Sequence, residues 1–375
     1  MEQNEYSKNA HDMIYLVSCA LNGETPDRSR IDSMDLDKLY EVSQSHVLSA
    51  CTAYALESAG IHDHNFTQAK EKAIRKNILF DTERKKILGR LEKEKIWYMP
   101  LKGAILKDLY PKLGMRQMSD NDILCDKTKR KKIRIIMKDL GFTMKGNASN
   151  VDEFTKPPVF NFEMHGDFFN IDNAGANNAY NYYKNIRSRL IKDKDSDYGY
   201  HLSDEDFYIY LLAHEYKHYC AGGTGIRSLA DTYIFLKKNK DKLNHDYINR
   251  ELQKLGMVEY EAMNRRLSMK VFGNEPLTAE DREELEYYIL SEAYGTVSHN
   301  IDNLVNKVAH GDKRKYFFRW LFPSMEHYKK HFPWAYKHKW LIPAAWVFRI
   351  LRGLTKRRKR VTASAKYLVK EINKR

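Results

Sequence analysis

Asp120 and Asp122 stand two positions apart in the run Ser119-Asp120-Asn121-Asp122-Ile123-Leu124. In an extended strand, side chains at i and i+2 leave the same face, so these two carboxylates converge on one point. Paired carboxylates make a hard-oxygen site suited to magnesium, whose remaining coordination is completed by phosphate oxygens and water. Further along, Phe160-Asn161-Phe162-Glu163-Met164-His165 alternates strictly, sending Phe160, Phe162 and Met164 to one face and Asn161, Glu163 and His165 to the other. Glu163 can therefore join the pair as a third carboxylate. Three acidic groups can organise two divalent ions, Mg2+ or Mn2+, which hold an attacking oxygen and a triphosphate together and neutralise charge in an in-line displacement.

Upstream, Leu101-Lys102-Gly103-Ala104 lies where a strand turns into a helix, a junction that offers free backbone N–H groups to phosphate oxygens. Gly103 permits close approach, and Lys102 and Arg116 supply cations able to clamp a triphosphate. A competing motif is His214-Glu215-Tyr216-Lys217-His218, which fits the zinc-protease spacing His-Glu-x-x-His. The residues after it lack the Gly and His spacing of the longer zinc pattern, which leaves Asp231 as the nearest substitute for a third ligand. The zinc-metalloprotease alternative stays open at this point.

These residues need elements to position them. Residues 1–95 show helical periodicity, in Val42 to Leu56 and again in Ile74 to Leu91, and read as a helical N-terminal region. Residues 96–200 change texture and read as an α+β core: strands at Ile96–Met99 and Asp122–Cys125, a helix over Leu101–Tyr110 closed by Pro111, a helix over Lys129–Leu140 stopped by Gly141, a strand starting at Phe142–Met144, and the alternating strand Val159–His165. Residues 201–312 return to helices, with a glycine interruption at Gly222, Gly223 and Gly225, and residues 313–375 form a basic, Trp-rich helical segment and tail.

The net charge of +14 is unevenly placed. From Lys313 to Arg375 there are 19 Lys and Arg against Glu326 and Glu371 alone, a net of +17, which leaves the first 312 residues about three charges negative. The same segment holds Trp320, Trp334, Trp340 and Trp346, four of five tryptophans. Three readings follow: a helical cap with a solvated tail containing Lys356-Arg357-Arg358-Lys359-Arg360, a surface for anionic membrane, or a nucleic-acid contact.

No apolar run approaches the roughly eighteen residues a membrane span requires. Met13 to Leu21 follows Glu2, Glu5 and Asp12 against one Lys8, the reverse of a secretory leader, so a helix of the folded protein is expected there. Four scattered cysteines suggest neither disulfides nor a zinc ribbon, and a cytoplasmic protein, peripheral at the inner membrane surface if the tail binds lipid, is the expected location.

Leu101-Lys102-Gly103-Ala104, Leu109-Tyr110-Pro111, Arg116 and Asp120-Asn121-Asp122-Ile123-Leu124 together resemble the signature of an uncharacterised bacterial nucleotidyltransferase family of the DNA polymerase β-like superfamily. Glu163-Met164-His165 resembles its Glu-x-His strand. His214, Lys217-His218, Arg227 and Asp231 resemble its later helical motif, and Leu321-Phe322-Pro323-Ser324 and Trp340-Leu341-Ile342-Pro343 its C-terminal elements.

The resemblance implies a polymerase β-like core, a small mixed sheet with helices, flanked by helical regions. It implies transfer of a nucleoside monophosphate from a nucleoside triphosphate to an acceptor hydroxyl with release of pyrophosphate, the acceptor being a protein, RNA, sugar or small molecule. Asp120, Asp122 and Glu163 stand for the metal ligands, Gly103 for the phosphate-loop glycine, and Lys102, Arg116, Lys217, His218 and Arg227 for nucleotide contacts. Asn121, where the superfamily carries an apolar residue, and Ala104, where better-studied branches carry Ser, are departures. They support an alternative, a non-catalytic nucleotide-binding or scaffolding protein.

Overall fold

A computed structural model describes residues 1–147, 150–169, 179–293, 295–309, 311–356 and 358–373. The chain divides into two compact units, one made of residues 1–217 and 224–293, the other of 218–223 and 294–375.

In the first unit the N-terminal helices are Gln3–Asn22, Leu36–Ser45, Ser49–Ser58 and the long His64–Lys93. The helical periodicity over Val42 to Leu56 spans two helices. Val47 adopts a φ of 57° and the chain turns there, with Leu48 N–H returning to the Ser43 carbonyl at 2.8 Å. Carboxylates start two of the helices: Asp35 accepts from the Lys38 N–H and Asp63 from the Phe66 N–H, satisfying donors that the first turn leaves unpaired.

Five strands follow: β1 Tyr98–Pro100, β2 Asn121–Cys125, β3 Thr143–Asn147, β4 Val151–Lys156 and β5 Phe160–His165, ordered β1-β2-β5-β4-β3. Only β2 and β5 run parallel; β1 with β2, β5 with β4 and β4 with β3 are antiparallel. The helix expected over Leu101–Tyr110 is shorter, Lys102–Leu106 followed by a tighter turn over Lys107–Leu109. Gly141, at φ 82°, ends the Arg130–Asp139 helix with Phe142 N–H bonded to the Met137 carbonyl at 3.0 Å.

β4 was not expected from the sequence, and its chemistry explains why. Its core-side positions are Asp152 and Phe154, 1% and 2% exposed, so a carboxylate occupies a place where alternation would call for an apolar residue. Arg130 and Arg134 neutralise it, each through two hydrogen bonds of 2.7–2.9 Å.

One sheet face lines a buried core cluster of this unit. Ile123 and Cys125 of β2, Phe162 and Met164 of β5, and Phe154 of β4 pack with Ile87 and Leu91 of the long helix and Ile133, Ile136 and Met137 of the Arg130–Asp139 helix. The alternation of β5 is thus satisfied, and its polar residues are turned to the other face.

In the second unit the helices are Val297–Ala309, Lys313–Leu321, Met325–His331, Pro333–Lys337, Ile342–Lys356 and Arg358–Asn373. The residues expected as a solvated tail are instead helical, and Leu368 is fully buried with Ile301, Val305, Ala309 and Tyr316. Lys313 pairs with Glu371 at 2.8 Å, tying that last helix back. The side chains of 356–361 lie outside the described residues. No helix among the described residues is long and apolar enough to cross a membrane.

Candidate active site

The parallel register of β2 and β5 sets Asp122 directly opposite Glu163 and Leu124 opposite His165. Because Ile123, Cys125, Phe162 and Met164 face the core, the intervening Asp122, Glu163 and His165 share the opposite face. Their ligating atoms lie within 4.8 Å of one another, a grouping able to hold a metal ion. His165 Nε2 sits 3.3 Å from Asp122 Oδ1 and 3.4 Å from Glu163 Oε2. Asp120, just before β2, is not among those three but is bound to them by charge.

That coupling drives the two aspartates in opposite directions. Burial, then repulsion from Asp122 and Glu163, pushes the Asp120 carboxyl up to about 6, with Arg227 and Lys102 opposing. Asp122 is lowered from its ordinary value: burial works against its charge, and the His165 hydrogen bond and the charges of His165, Lys102 and Lys217 outweigh it. Burial would depress the His165 imidazole, yet its hydrogen bonds to Asp122 and Glu163 and their charges raise it to about 9. Two carboxylates and an imidazole nitrogen within reach of one another make a donor set that fits a divalent cation.

The Lys102-Gly103 turn lies beside this cluster. Leu101 N–H bonds to the Asp122 carbonyl at 2.9 Å, extending the β1–β2 ladder up to the start of the Lys102–Leu106 helix. A Cβ at position 103 would stand 3.1 Å from Met118 Cε and 3.3 Å from Arg116 Nη1, so glycine is what lets these chains close. Lys102 Nζ meets His214 Nδ1 at 3.0 Å. Burial lowers the Lys102 ammonium, Glu215 and Asp231 resist, and Arg116 and Arg227 add to the lowering.

The Asp204–Ala221 helix supplies the next residues. Tyr210, His214 and Lys217 share one stripe, three and four residues apart. The Tyr210 and His214 rings meet edge to face at 6.2 Å. Burial lowers Lys217 while Asp122 and Glu163 hold its charge, which puts that cation at the carboxylate cluster. Glu215 is 2% exposed, and burial raises it to about 8 against the pull of Lys102 and Arg116. His218, one residue beyond Lys217, is exposed and belongs to the second unit.

Arg227 and Asp231 sit one turn apart on the Ile226–Asn239 helix. Arg227 acts by charge on Asp120 and Asp231. Arg116, expected to clamp phosphate, is committed elsewhere: Nε and Nη2 donate to Asp231 Oδ1 and Oδ2 at 2.7 and 2.9 Å, and Nη1 to Met118 Sδ at 3.4 Å. Tyr110 gives Asp231 a further hydrogen bond at 2.8 Å.

Asn121 lies on the core side of β2, fully buried, and accepts from Arg84 Nη1 at 3.0 Å. The long helix thus meets its Oδ1 while Nδ2 finds no hydrogen-bond partner, and the side chain lies on the sheet face opposite the carboxylates. The spacing His214-Glu215-x-x-His218 does not assemble a zinc site among the described residues, where the three-residue metal grouping is Asp122, Glu163 and His165. Two participants carried little sequence signal. His165 stood in the Glu-x-His strand without a ligand role, and Lys76, which donates to the Ser119 carbonyl at 3.1 Å and is lowered by burial against the charge of Asp120, is one lysine in a basic helix.

Fold and site therefore define an α+β protein whose small mixed sheet presents carboxylates from adjacent strands, with Lys102, Lys217 and Arg227 acting on them by charge. The chain belongs to the family described as uncharacterised nucleotidyltransferase, whose model matches residues 32–273. That span holds every strand of the sheet and every site residue named above. No curated protein and no solved structure matches the chain.

Proposed function

We propose that the protein is a metal-dependent nucleotidyltransferase with a polymerase β-like core, moving a nucleoside monophosphate from a nucleoside triphosphate to an acceptor hydroxyl and releasing pyrophosphate. The observation that carries this reading is the meeting of Asp122, Glu163 and His165 within 4.8 Å, with Asp120 charge-coupled to them, inside the span matched by the family. Asp120, Asp122 and Glu163 are the residues that would hold two Mg2+ or Mn2+ ions, whose chemistry there is to neutralise the triphosphate and align attacking and leaving oxygens.

The chain's own groups divide the remaining work. His165 holds the Asp122 and Glu163 carboxylates in place through Nε2. Lys217 and Lys102 place positive charge at the cluster for the triphosphate, and Gly103 leaves room for the Met118 and Arg116 side chains beside the Lys102–Leu106 helix. Arg227 adds a cation near Asp120. Arg116 serves by positioning, because Nε and Nη2 hold Asp231 and Nη1 meets Met118 in a buried setting. Glu163 is suited to take the acceptor's proton as the new P–O bond forms.

The test is label transfer. Purified protein is incubated with each of the four α-labelled triphosphates, Mg2+ or Mn2+, and cell extract, alongside Asp122→Asn and Glu163→Gln. Transfer by the wild type, reduced at least about a hundredfold in folded variants, is expected. Absence of transfer with all four nucleotides, or wild-type rates in both variants, defeats the proposal.

A further inference from the structure

Two helices of the C-terminal unit turn apolar stripes outward. On Ile342–Lys356, Ala344, Val347, Phe348, Leu351 and Arg352 follow one another at three- and four-residue spacing, and all are exposed. Val347, Phe348 and Leu351 are 48%, 53% and 56% exposed, whereas the inward side is carried by fully buried Ala345. On Lys313–Leu321 the exposed stripe is Lys315, Phe318 and Arg319, continued by Phe322 just past the helix end.

The two stripes are fixed side by side. Trp346 Nε1 donates to the Leu321 carbonyl at 2.8 Å, Arg349 donates to the Trp320 carbonyl, and the Phe322 and Trp346 rings stack at 5.8 Å with 8° between planes. Trp340, the most exposed large apolar residue of the unit at 77%, lies in the turn leading into the Ile342–Lys356 helix. Apolar side chains held outward in one region are costly in water and mark a surface that something covers.

We propose that this face is a docking surface for an anionic lipid membrane. Charge selects the sign of the partner, since residues 313–375 carry a net +17 and Lys315, Arg319 and Arg352 stand within the apolar stripes. The kind of apolar residue selects lipid. Val347 and Leu351 offer no ring to stack on a nucleobase, but they gain by entering hydrocarbon, while indole and basic groups suit the headgroup level. With no described helix able to span, the contact is peripheral. This surface is independent of the carboxylate cluster and of the reaction assigned to it.

The experiment is sedimentation of the full chain with phosphatidylcholine vesicles, plain or containing about one-third phosphatidylglycerol as the anionic lipid. Partitioning at least about tenfold stronger onto the anionic vesicles, weakened by salt, is expected. The double variant Phe348→Ser, Leu351→Ser and the double variant Lys315→Glu, Arg352→Glu should each lose about tenfold while unfolding at the wild-type temperature. Should either variant fail to fold, quenching of wild-type tryptophan fluorescence by brominated anionic lipid replaces it. Equal binding to both vesicles, wild-type binding by both variants, absent quenching, or binding of single-stranded RNA without vesicle binding would each overturn the proposal.

Discussion

Arg116 and Asp231, 115 residues apart in the chain, form a two-point ion pair whose side chains are 4% and 3% exposed. The pair ties the segment four residues before Asp120 to the Ile226–Asn239 helix, and Arg116 Nη1 simultaneously bounds the space at Gly103. Burial pushes the Asp231 carboxyl up, and the charge and hydrogen bonds of Arg116, with the charges of Arg227 and Lys102, outweigh it and hold it below its ordinary value.

Removing one partner leaves the other buried and uncompensated. Asp231→Ala is expected to cost about 3–5 kcal/mol in urea unfolding, and Arg116→Met with Asp231→Leu to recover most of that loss. A loss below about 1 kcal/mol in the single variant would mean that the pair does not hold the loop to the helix.

Metal affinity can be read without turnover. In Mn2+ titrations of the protein with a non-hydrolysable triphosphate, Asp122→Asn and Glu163→Gln are each expected to weaken binding about tenfold or more, and His165→Gln about tenfold through loss of carboxylate orientation. If His165→Gln binds as the wild type does, its contacts with the carboxylates are incidental.

Asp152 gives a pH-dependent stability with a defined sign. Hydrogen bonds from Arg134 and Arg130 overcome the effect of burial and hold its carboxyl at about 2, below the ordinary 3.8. The folded value is the lower one, so the stabilisation is complete above about pH 4 and is lost as pH falls toward 2. Wild type and Asp152→Asn should therefore differ by about 1–2 kcal/mol in unfolding free energy at pH 6, and the difference should shrink through that window. A gap that stays constant from pH 6 to pH 3 would refute the assignment.

Asn121 faces Arg84 and not the cluster. Asn121→Val is expected to change stability by no more than about 1 kcal/mol, since Arg84 keeps Asp81 at 2.6 Å, and to keep transfer within about threefold of wild type. A hundredfold loss would place Asn121 in the site's working parts after all.

The sequence by itself determined which residues could share a face. The period of two in a strand puts Asp120 with Asp122 and Glu163 with His165, and the period of a helix groups His214 with Lys217, because both follow from backbone geometry within one element. It also located the positive charge in the last 63 residues, which is a matter of counting. Tertiary structure alone decided that β5 lies parallel to β2 with Glu163 opposite Asp122, because that register is set by the path of the intervening chain through β3 and β4. It alone decided that Arg116 belongs to Asp231, that Asn121 meets Arg84, and that the final basic stretch closes into a packed helix while Phe348 and Leu351 stay outside. Each of these is a contact between residues distant in sequence, and local periodicity carries no information about which distant side chain will satisfy a buried charge or cover an apolar face.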